Sequence, residues 1–228
     1  MALKFTTTDK AAQLNGVKVL VYGQAGAGKT VLASTAPAPF LISAEGGELS
    51  LRHVQMPMVK VTTVDDLRDI YAWCEQSHEA KQFQTICIDS LSEIAEVVLN
   101  NAKRQVKDPR QAYGELIEKM ETTIRMFRDL PGRNVYMSAK MEPTKDELTG
   151  VVKYGPAMPG KQLAVKLPYF FDQVFRLGIN KTTQGESYRF LQTQPDMQYE
   201  AKDRSGALAS VERPDLGYIF RKIMGGEV

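Results

Sequence analysis

A glycine-rich segment directly after a short apolar run constrains the fold of this chain more than any other feature. Residues 23–30 read GQAGAGKT and match the pattern G-x-x-x-x-G-K-[ST], and the apolar residues 17–22 precede them. Glycines let the backbone wrap closely around a compact anion, and the backbone N–H groups then point into the loop. The segment predicts a buried strand, a phosphate-binding loop and a helix, and hence a nucleotide-binding protein.

The loop residues have predicted roles in binding ATP and Mg2+. Lys29 would reach the β and γ phosphates and the Thr30 hydroxyl would bind Mg2+, while the positive end of a helix opening at Lys29 would favour the anion. A glycine-rich turn without a ligand is the alternative that the motif alone leaves open. The predicted nucleotide-binding residues are Gly23, Gln24, Ala25, Gly26, Ala27, Gly28, Lys29, Thr30 and Val31.

Length and composition are typical of one compact domain. The 228 residues are 43% hydrophobic and 25% charged, so we expect a single domain over 1–228, with 1–15 as an N-terminal flank. No apolar stretch approaches the roughly 20 residues of a membrane span, and the N-terminal residues lack the apolar centre of a signal peptide. We therefore expect a cytoplasmic protein without a membrane partner.

Strand and helix patterns alternate along the chain. Apolar runs predict strands at 17–22, 40–43, 59–61, 85–89 and 134–139, and helical spacing predicts helices at 64–77, 91–106 and 113–130. Short strands at 173–179 and 188–193 and a helix at 215–224 follow. The bulky residues 169–171 are expected in the core. The pattern predicts an α/β fold with a mostly parallel twisted sheet flanked by helices and a β-rich C-terminal extension.

Two carboxylates follow predicted strands. Asp89 ends the apolar run at 85–89, where it could hold the Mg2+ water shell opposite the loop or cap the next helix. Glu45 follows the strand at 40–43, where ligands gather in open α/β sheets. We assign it the base that orients water toward the γ phosphate. Glu48 is the alternative for that role.

The glycine loop, the strand followed by glutamate and the strand ending in Asp-Ser occur in an order that resembles the RecA-like ATPases. The resemblance implies that Glu45 activates the attacking water and that Asp89 organises the metal. In that family a later strand ends in a polar sensor of the γ phosphate, usually glutamine, and leads into a DNA-binding loop. The corresponding residues here are Ser138, Ala139 and Lys140, which leaves the sensor residue open.

Residues 201–206, which read AKDRSG, are similar to the K-x-R-x-G segment of the DnaB-like and RadA-like branches of that superfamily. The resemblance implies that Lys202 and Arg204 enter the site of a neighbouring subunit, so that hydrolysis requires a homo-oligomer. Two cations one residue apart on an extended strand reach the same side, where they could neutralise charge on the γ phosphate. An ordinary basic turn before glycine is the structural alternative.

Over most of its length the chain resembles the short RecA-like ATPases of phages, which are nucleotide-binding proteins of the ATPase-type single-strand annealing and recombinase family. Besides the motifs above, residues 113–114, 156–161 and 167–172 carry the resemblance. It implies binding of single-stranded DNA in strand annealing or recombination. A single-strand-binding protein and a nuclease are further candidate partners, and a phage protein would act in the cytoplasm of its host.

Residues 140–168 form the candidate DNA-binding loop. A flexible basic loop with one aromatic residue could track a phosphate backbone and stack a base. Because the formal net charge is only +2, such binding would depend on this local surface, and acidic residues in the loop offset part of its charge. A solvated loop is the alternative. The candidate DNA contacts are Lys140, Lys145, Lys153, Tyr154 and Lys161.

Two other classes of function stay open. A small-molecule kinase would also carry a glycine loop, but it would need several arginines in a mobile lid. The available arginines are instead spread through helical patterns: Arg104, Arg110, Arg125 and Arg128. A non-catalytic interaction protein would use ATP only to order its subunits and would not need Glu45.

Overall fold

Ten strands form one sheet in the part of the chain that the computed structural model describes, residues 5–7, 10, 15–145 and 150–226. The strands are β1 (Lys18–Gly23), β2 (Pro39–Ser43), β3 (Met58–Lys60), β4 (Thr85–Asp89), β5 (Asn134–Lys145), β6 (Val152–Ala157), β7 (Gln173–Lys181), β8 (Ser187–Gln192), β9 (Lys202–Asp203) and β10 (Val211–Glu212). The helices are α1 (Lys29–Ala33), α2 (Val64–Gln76), α3 (Leu91–Gln105), α4 (Pro109–Arg128), α5 (Lys161–Lys166) and α6 (Leu216–Ile223). The predicted α/β fold is confirmed.

The order of the strands brings the glycine loop, Glu45 and Asp89 to one edge of the sheet. Across the sheet the order is β10-β8-β7-β1-β5-β4-β2-β3, with β6 paired to β5 and β9 paired to β7. From β7 to β3 all neighbours are parallel, whereas β8, β6 and β9 run antiparallel to their partners on β7 and β5. Because parallel strands end at the same edge, the residues after β1, β2, β4 and β5 lie close together.

The β-rich C-terminal part continues the main sheet. β7 pairs in parallel with β1, from Val19 opposite Gln173 to Tyr22 opposite Arg176. β8 pairs with β7, and β10 pairs with β8. The glycine loop at the end of β1 is therefore flanked by β5 on one side and by the β7–β8 hairpin on the other.

Helices cover both faces of β1. Leu20 and Tyr22 pack into the core layer formed with α2, α3, α4 and α5, whereas Val19 and Val21 pack into the layer formed with α1 and α6. Successive side chains of a strand point to opposite faces, so a strand that is buried on both faces reads as a continuous apolar run. This burial explains why the sequence predicted β1.

Polar caps set where the helices of the first layer begin. The Thr63 hydroxyl accepts a hydrogen bond from Asp66 N, and the Asp66 carboxylate accepts one from Thr63 N, which closes a capping box at α2. Ser90 caps α3, and Asp108 followed by Pro109 starts α4 four residues before the predicted position 113. None of the helices in the described ranges is long and apolar enough to cross a membrane.

The predicted flexible loop at 140–168 is wrong for the residues that the structure describes. Residues 140–145 and 152–157 form the antiparallel β5–β6 hairpin, and 161–166 form α5; residues 146–149 lie outside the described part. Because Gly155 and Pro156 are typical turn residues, the sequence pattern did not indicate strand β6. Tyr154 is half-buried with its ring stacked on Tyr199 at 5.3 Å, so its ring face is already occupied.

The prediction that residues 169–171 are buried is wrong for Tyr169. Phe170 and Phe171 are buried, but Tyr169 is 78% exposed. The segment Leu167–Phe170 forms a 3-10 turn, in which residues three apart share a face. Leu167 and Phe170 therefore point into the core together, and Tyr169 points outward.

Lys18 is a buried cation at the start of β1. It is 6% exposed, and its Nζ donates hydrogen bonds to the carbonyl oxygens of Arg133 at 2.7 Å and Leu130 at 3.4 Å. Burial lowers the pKa of Lys18 from 10.5 to about 8, although the charges of Asp129 and Asp172 oppose the shift. The folded chain therefore binds this proton less tightly than the unfolded chain does.

This shift predicts a pH-dependent stability. Between about pH 8 and about pH 10.5 the unfolded chain holds the Lys18 proton and the folded chain releases it, so the contribution of Lys18 to the free energy of unfolding rises with pH through this range. In urea titrations, the unfolding midpoint of the wild type minus that of Lys18→Met should therefore increase with pH. The exposed-lysine control Lys81→Met should keep the wild-type slope. Equal slopes for Lys18→Met and the wild type would contradict the shift.

Candidate functional site

The glycine loop has a conformation that depends on its glycines. Gly26 and Gly28 have φ values of 75° and 102°, which lie in the left-handed region. The N–H of Ala27 donates to the Gln24 carbonyl oxygen at 3.2 Å and closes the turn. Gln24, Ala25 and Gly26 are exposed, so the outer part of the loop is open to an anion from solution. The loop fits a phosphate group.

Lys29 is the buried cation of the loop. Its Nζ donates to the carbonyl oxygens of Gly23 at 3.1 Å and Gln24 at 3.2 Å. Burial lowers the pKa of Lys29, and the negative charges of Glu45 and Asp89 oppose this shift. The amine lies inside the loop and donates to neutral carbonyl oxygens, which a charged phosphate oxygen can replace as acceptor.

Three elements meet at the carboxylate of Asp89. The Thr30 hydroxyl at the start of α1 donates to Oδ2 at 2.5 Å, and the Ser138 hydroxyl on β5 donates to Oδ1. Asp89 is 2% exposed, so these bonds satisfy both of its oxygens. A hydroxyl and a carboxylate are hard oxygen donors of the kind that Mg2+ prefers when phosphates complete its coordination. Thr30 and Asp89 are therefore residues of the kind that would hold a magnesium ion.

Asp89 reaches the first turn of α1 from a strand that is not paired with β1. β4 is not the neighbour of β1, because β5 lies between them. Asp89 still reaches the first turn of α1, since α1 packs across the ends of both β5 and β4. The Tyr136 hydroxyl of β5 donates to the Lys29 carbonyl at 2.8 Å, and Cys87 Sγ of β4 lies 3.8 Å from the Ala33 carbonyl.

The two glutamates after β2 have different surroundings. Glu45 is exposed, and its charge acts on Lys29. Glu48 forms an ion pair with Lys60 at 3.3 Å; hydrogen bonds from its own backbone N–H and then from Lys60 lower the pKa of Glu48. Of the two, Glu45 is the carboxylate whose charge reaches the loop lysine.

The turn that carries Glu45 is attached to the rest of the site. The N–H of Ala44 donates to the Asp89 carbonyl oxygen at 2.9 Å. Gly47 lies against Thr30, because a Cβ at Gly47 would stand 3.0 Å from the Thr30 hydroxyl oxygen. The segment around Glu45 therefore lies beside Thr30 and Asp89.

The three sensor candidates at the end of β5 have different environments. Ser138 bonds to Asp89 as described above, and Ala139 is fully buried. Lys140 is exposed and forms an ion pair with Glu93 on α3. The hydrogen bond from Lys140 to Glu93 raises the pKa of Lys140, and the charge of Glu45 adds to this effect. Lys140 therefore lies within electrostatic reach of the water-orienting candidate.

Most of the candidate DNA contacts lie on the β5–β6 hairpin, which begins at this edge. Lys145 and Lys153 are exposed on its two strands, while Lys161 is exposed at the start of α5. Ser92 on α3 accepts from Lys140 N at 2.9 Å and donates to the carbonyl opposite, on Ala157, at 2.7 Å. This hydroxyl fastens the base of the hairpin to the helix that follows Asp89.

Lys202 and Arg204 lie away from the glycine loop of their own chain. β9 pairs with the start of β7, at the end of the sheet opposite the loop. Lys202 donates to the Pro168 carbonyl at 2.6 Å, and Arg204 forms an ion pair with Asp172 at 3.0 Å. A cavity of about 380 Å³ at this end is lined by Asn15, Lys18, Arg128, Asp129, Leu130, Tyr169, Phe170, Asp172 and Arg204.

Arg189 contacts the glycine loop and was missed in the sequence. Its Nε donates to the Ala27 carbonyl oxygen at 2.8 Å, from β8. No local motif marks Arg189, and the contact exists because β7 pairs with β1 and carries β8 next to the loop. Only the strand order could have revealed it.

Comparison with known proteins identifies the family of this chain. A family model described as an AAA domain matches residues 15–205. No curated protein sequence gives a significant match. Among solved structures, a KaiC-like protein from the hyperthermophilic archaeon Pyrococcus horikoshii is similar at 17% identity over 77% of each chain, with a TM-score of 0.44. The family match covers most of the chain, from the strand before the glycine loop to the residues after Arg204, and the protein therefore belongs to the AAA domain family.

Proposed function

We propose that this protein is a Mg2+-dependent ATPase that works as a homo-oligomer on single-stranded DNA in recombination or strand annealing. Membership of the AAA domain family supports ATP as the substrate. The observation that carries the catalytic part is the meeting of Lys29, Thr30, Asp89 and Glu45 at one edge of the sheet. A phosphate loop, a metal-binding pair and an exposed carboxylate together are what ATP hydrolysis requires.

The residues of the glycine loop and of the ends of β4 and β5 bind the nucleotide and orient one another. Lys29 exchanges the loop carbonyls for oxygens of the β and γ phosphates. Thr30 and Asp89 would hold the Mg2+ ion, which supplies charge neutralisation at the phosphates when it is bound. Ser138 is a positioning residue that orients the Asp89 carboxylate through its hydrogen bond.

Glu45 performs the proton chemistry in this proposal. Its carboxylate accepts a hydrogen bond from the attacking water and orients that water in line with the γ phosphate. Two observations support this role: Glu45 is exposed, and its charge acts on both Lys29 and Lys140. Glu48 is held by Lys60 and is the less suitable base.

The positions of the arginines favour hydrolysis over phosphate transfer to a small molecule. Arg104 lies on α3, roughly 20 Å along the helix from its start near the site. The others lie on α4, and Arg128 there is paired with Asp129. Arg104 and Arg128 are therefore not available as a lid over the glycine loop.

The β5–β6 hairpin supports the DNA part of the proposal. It begins at Lys140 beside the ATP site and extends past the sheet edge, with Lys145 and Lys153 exposed. Since the Tyr154 ring is stacked on Tyr199, we assign the DNA contact to lysines and phosphates rather than to base stacking. A change at Lys140 would be transmitted directly along β5.

Replacing Glu45 tests catalysis. For Glu45→Gln we expect turnover to fall roughly a hundredfold or more, because a general base is lost, while nucleotide affinity stays close to the wild-type value. The matched control Glu48→Gln should keep most of the turnover. Phosphate release and equilibrium nucleotide binding measure the two quantities. Wild-type turnover in Glu45→Gln would favour the non-catalytic interaction protein instead.

DNA dependence is tested by measuring ATP hydrolysis with and without single-stranded DNA at low and high salt, with Lys29→Ala as the blank. Stimulation that fades as salt rises is expected, because lysine–phosphate contacts release counterions. The double substitution Lys145→Ala and Lys153→Ala should reduce the stimulation, and Lys119→Ala on α4 should not. A rate of ATP hydrolysis that does not change with DNA would contradict the DNA part of the proposal and would favour a protein partner or a small-molecule phosphate acceptor.

Lys202 and Arg204 support the homo-oligomer. Both lie at the end of their own sheet that is opposite the glycine loop, so they can act on ATP only in a neighbouring subunit. A head-to-tail arrangement would pair the loop edge of one subunit with this end of the next. The ion pair with Asp172 would then be exchanged for contact with phosphate.

Mixing two inactive variants tests this arrangement. The Arg204→Ala variant keeps an intact glycine loop, and the Lys29→Ala variant keeps Lys202 and Arg204. An interface is complete when the first variant supplies the loop and the second supplies these two cations. Each variant alone should lack turnover, and an equal mixture should recover about a quarter of the wild-type rate. An inactive mixture that still assembles, or full activity in Arg204→Ala alone, would contradict action between subunits.

A further inference from the structure

Arg189 lies against the second half of the glycine loop. Besides its 2.8 Å bond to the Ala27 carbonyl, its Nε would be 3.0 Å and its Cδ 3.4 Å from a Cβ at Gly28. Any larger residue at position 28 would therefore meet this side chain. The bond to Ala27 uses one of the N–H donors of the guanidinium and leaves the others.

The remaining donors of Arg189 have no acidic partner. The side chain is exposed, and across the described residues no carboxylate lies within 4.0 Å of its guanidinium. Arg128 and Arg204, by contrast, are paired with Asp129 and Asp172. An arginine with donors to spare beside a phosphate-binding loop is suited to a phosphate oxygen.

The position of the metal pair gives the direction of the bound phosphate chain. Asp89 and Ser138 lie on β4 and β5, on one side of β1, and Glu45 follows β2 farther along the same side. The terminal phosphate and the attacking water must lie there. β7 and β8 flank β1 on the other side, so the nucleoside end of ATP is directed toward Arg189.

Aliphatic surface is available next to Arg189. Ile179 lies directly opposite Arg189 in the β7–β8 hairpin and is 46% exposed. Because alternate residues of a strand share a face, both point to the same face as the buried Leu177 and Leu191. Val31 in the first turn of α1 is 43% exposed as well. A base could pack against such surface while its phosphates occupy the loop.

We propose that the β7–β8 hairpin forms the nucleoside side of the ATP site, with Arg189 binding a phosphate next to the nucleoside and Ile179 providing an apolar wall for the base. This inference rests on the proposed ATP binding and extends it. It requires Arg189 to contribute to ADP and to ATP equally, since both carry the phosphates nearest the nucleoside. It also requires the contribution to come from the positive charge.

Binding of ADP and ATP with Mg2+ to the full chain tests this proposal, at low and high salt. Arg189→Ala and Arg189→Gln should each weaken both nucleotides roughly tenfold to a hundredfold, as expected for a lost hydrogen bond to a charged group. Arg189→Lys should recover part of the affinity. The control Arg110→Ala, an exposed arginine on α4, should bind as the wild type does.

The salt dependence separates a phosphate contact from support of the loop. Glutamine can still donate to the Ala27 carbonyl but carries no charge, so Arg189→Gln should lose salt dependence along with affinity, whereas Arg189→Lys should retain it. Wild-type affinity in Arg189→Gln, or weaker binding with an unchanged salt dependence, would overturn the inference alone. A wild-type protein that binds neither nucleotide would overturn the proposed function and this inference together.

Discussion

The carboxylate of Asp89 is the point on which the arrangement of the site depends. A buried carboxylate is stable only when its oxygens are hydrogen-bonded, and here Thr30 and Ser138 supply those bonds from α1 and β5. The same residue accepts the N–H of Ala44 through its backbone carbonyl. Three elements that are far apart in the chain are thereby held around one residue beside the glycine loop.

Charges of alternating sign extend this site outward. The charge of Glu45 after β2 acts on Lys29 in the loop and on Lys140 at the end of β5, and Lys140 forms an ion pair with Glu93 on α3. The glycine loop and the base of the β5–β6 hairpin are therefore linked by electrostatic interactions. On the other side of β1, Arg189 connects the loop to the β7–β8 hairpin. The glycine loop lies between two hairpins: the β5–β6 hairpin, which carries Lys140, and the β7–β8 hairpin, which carries Arg189.

Sequence patterns predicted the strands and helices whose burial can be read from a local run of residues. β1 and β4 read as apolar runs because helices cover both of their faces. The β5–β6 hairpin was missed, because Gly155 and Pro156 read as a turn although their backbone pairs with β5. Tyr169 was placed in the core because its apolar neighbours suggested burial, whereas the 3-10 turn directs it outward. Such errors arise where pairing with a distant strand, or the exact turn, decides a residue's environment.

The sequence by itself determined the glycine loop, since Gly26 and Gly28 adopt φ values that other residues rarely take. It also determined that Glu45 and Asp89 follow or end apolar runs, and that an α/β sheet would gather such residues. Only the tertiary structure decided that β5 separates β1 from β4, that Ser138 binds Asp89 and that Arg189 reaches the loop. The reason is physical: backbone preference and burial are encoded within a few residues, whereas strand order depends on how all the strands and helices pack together.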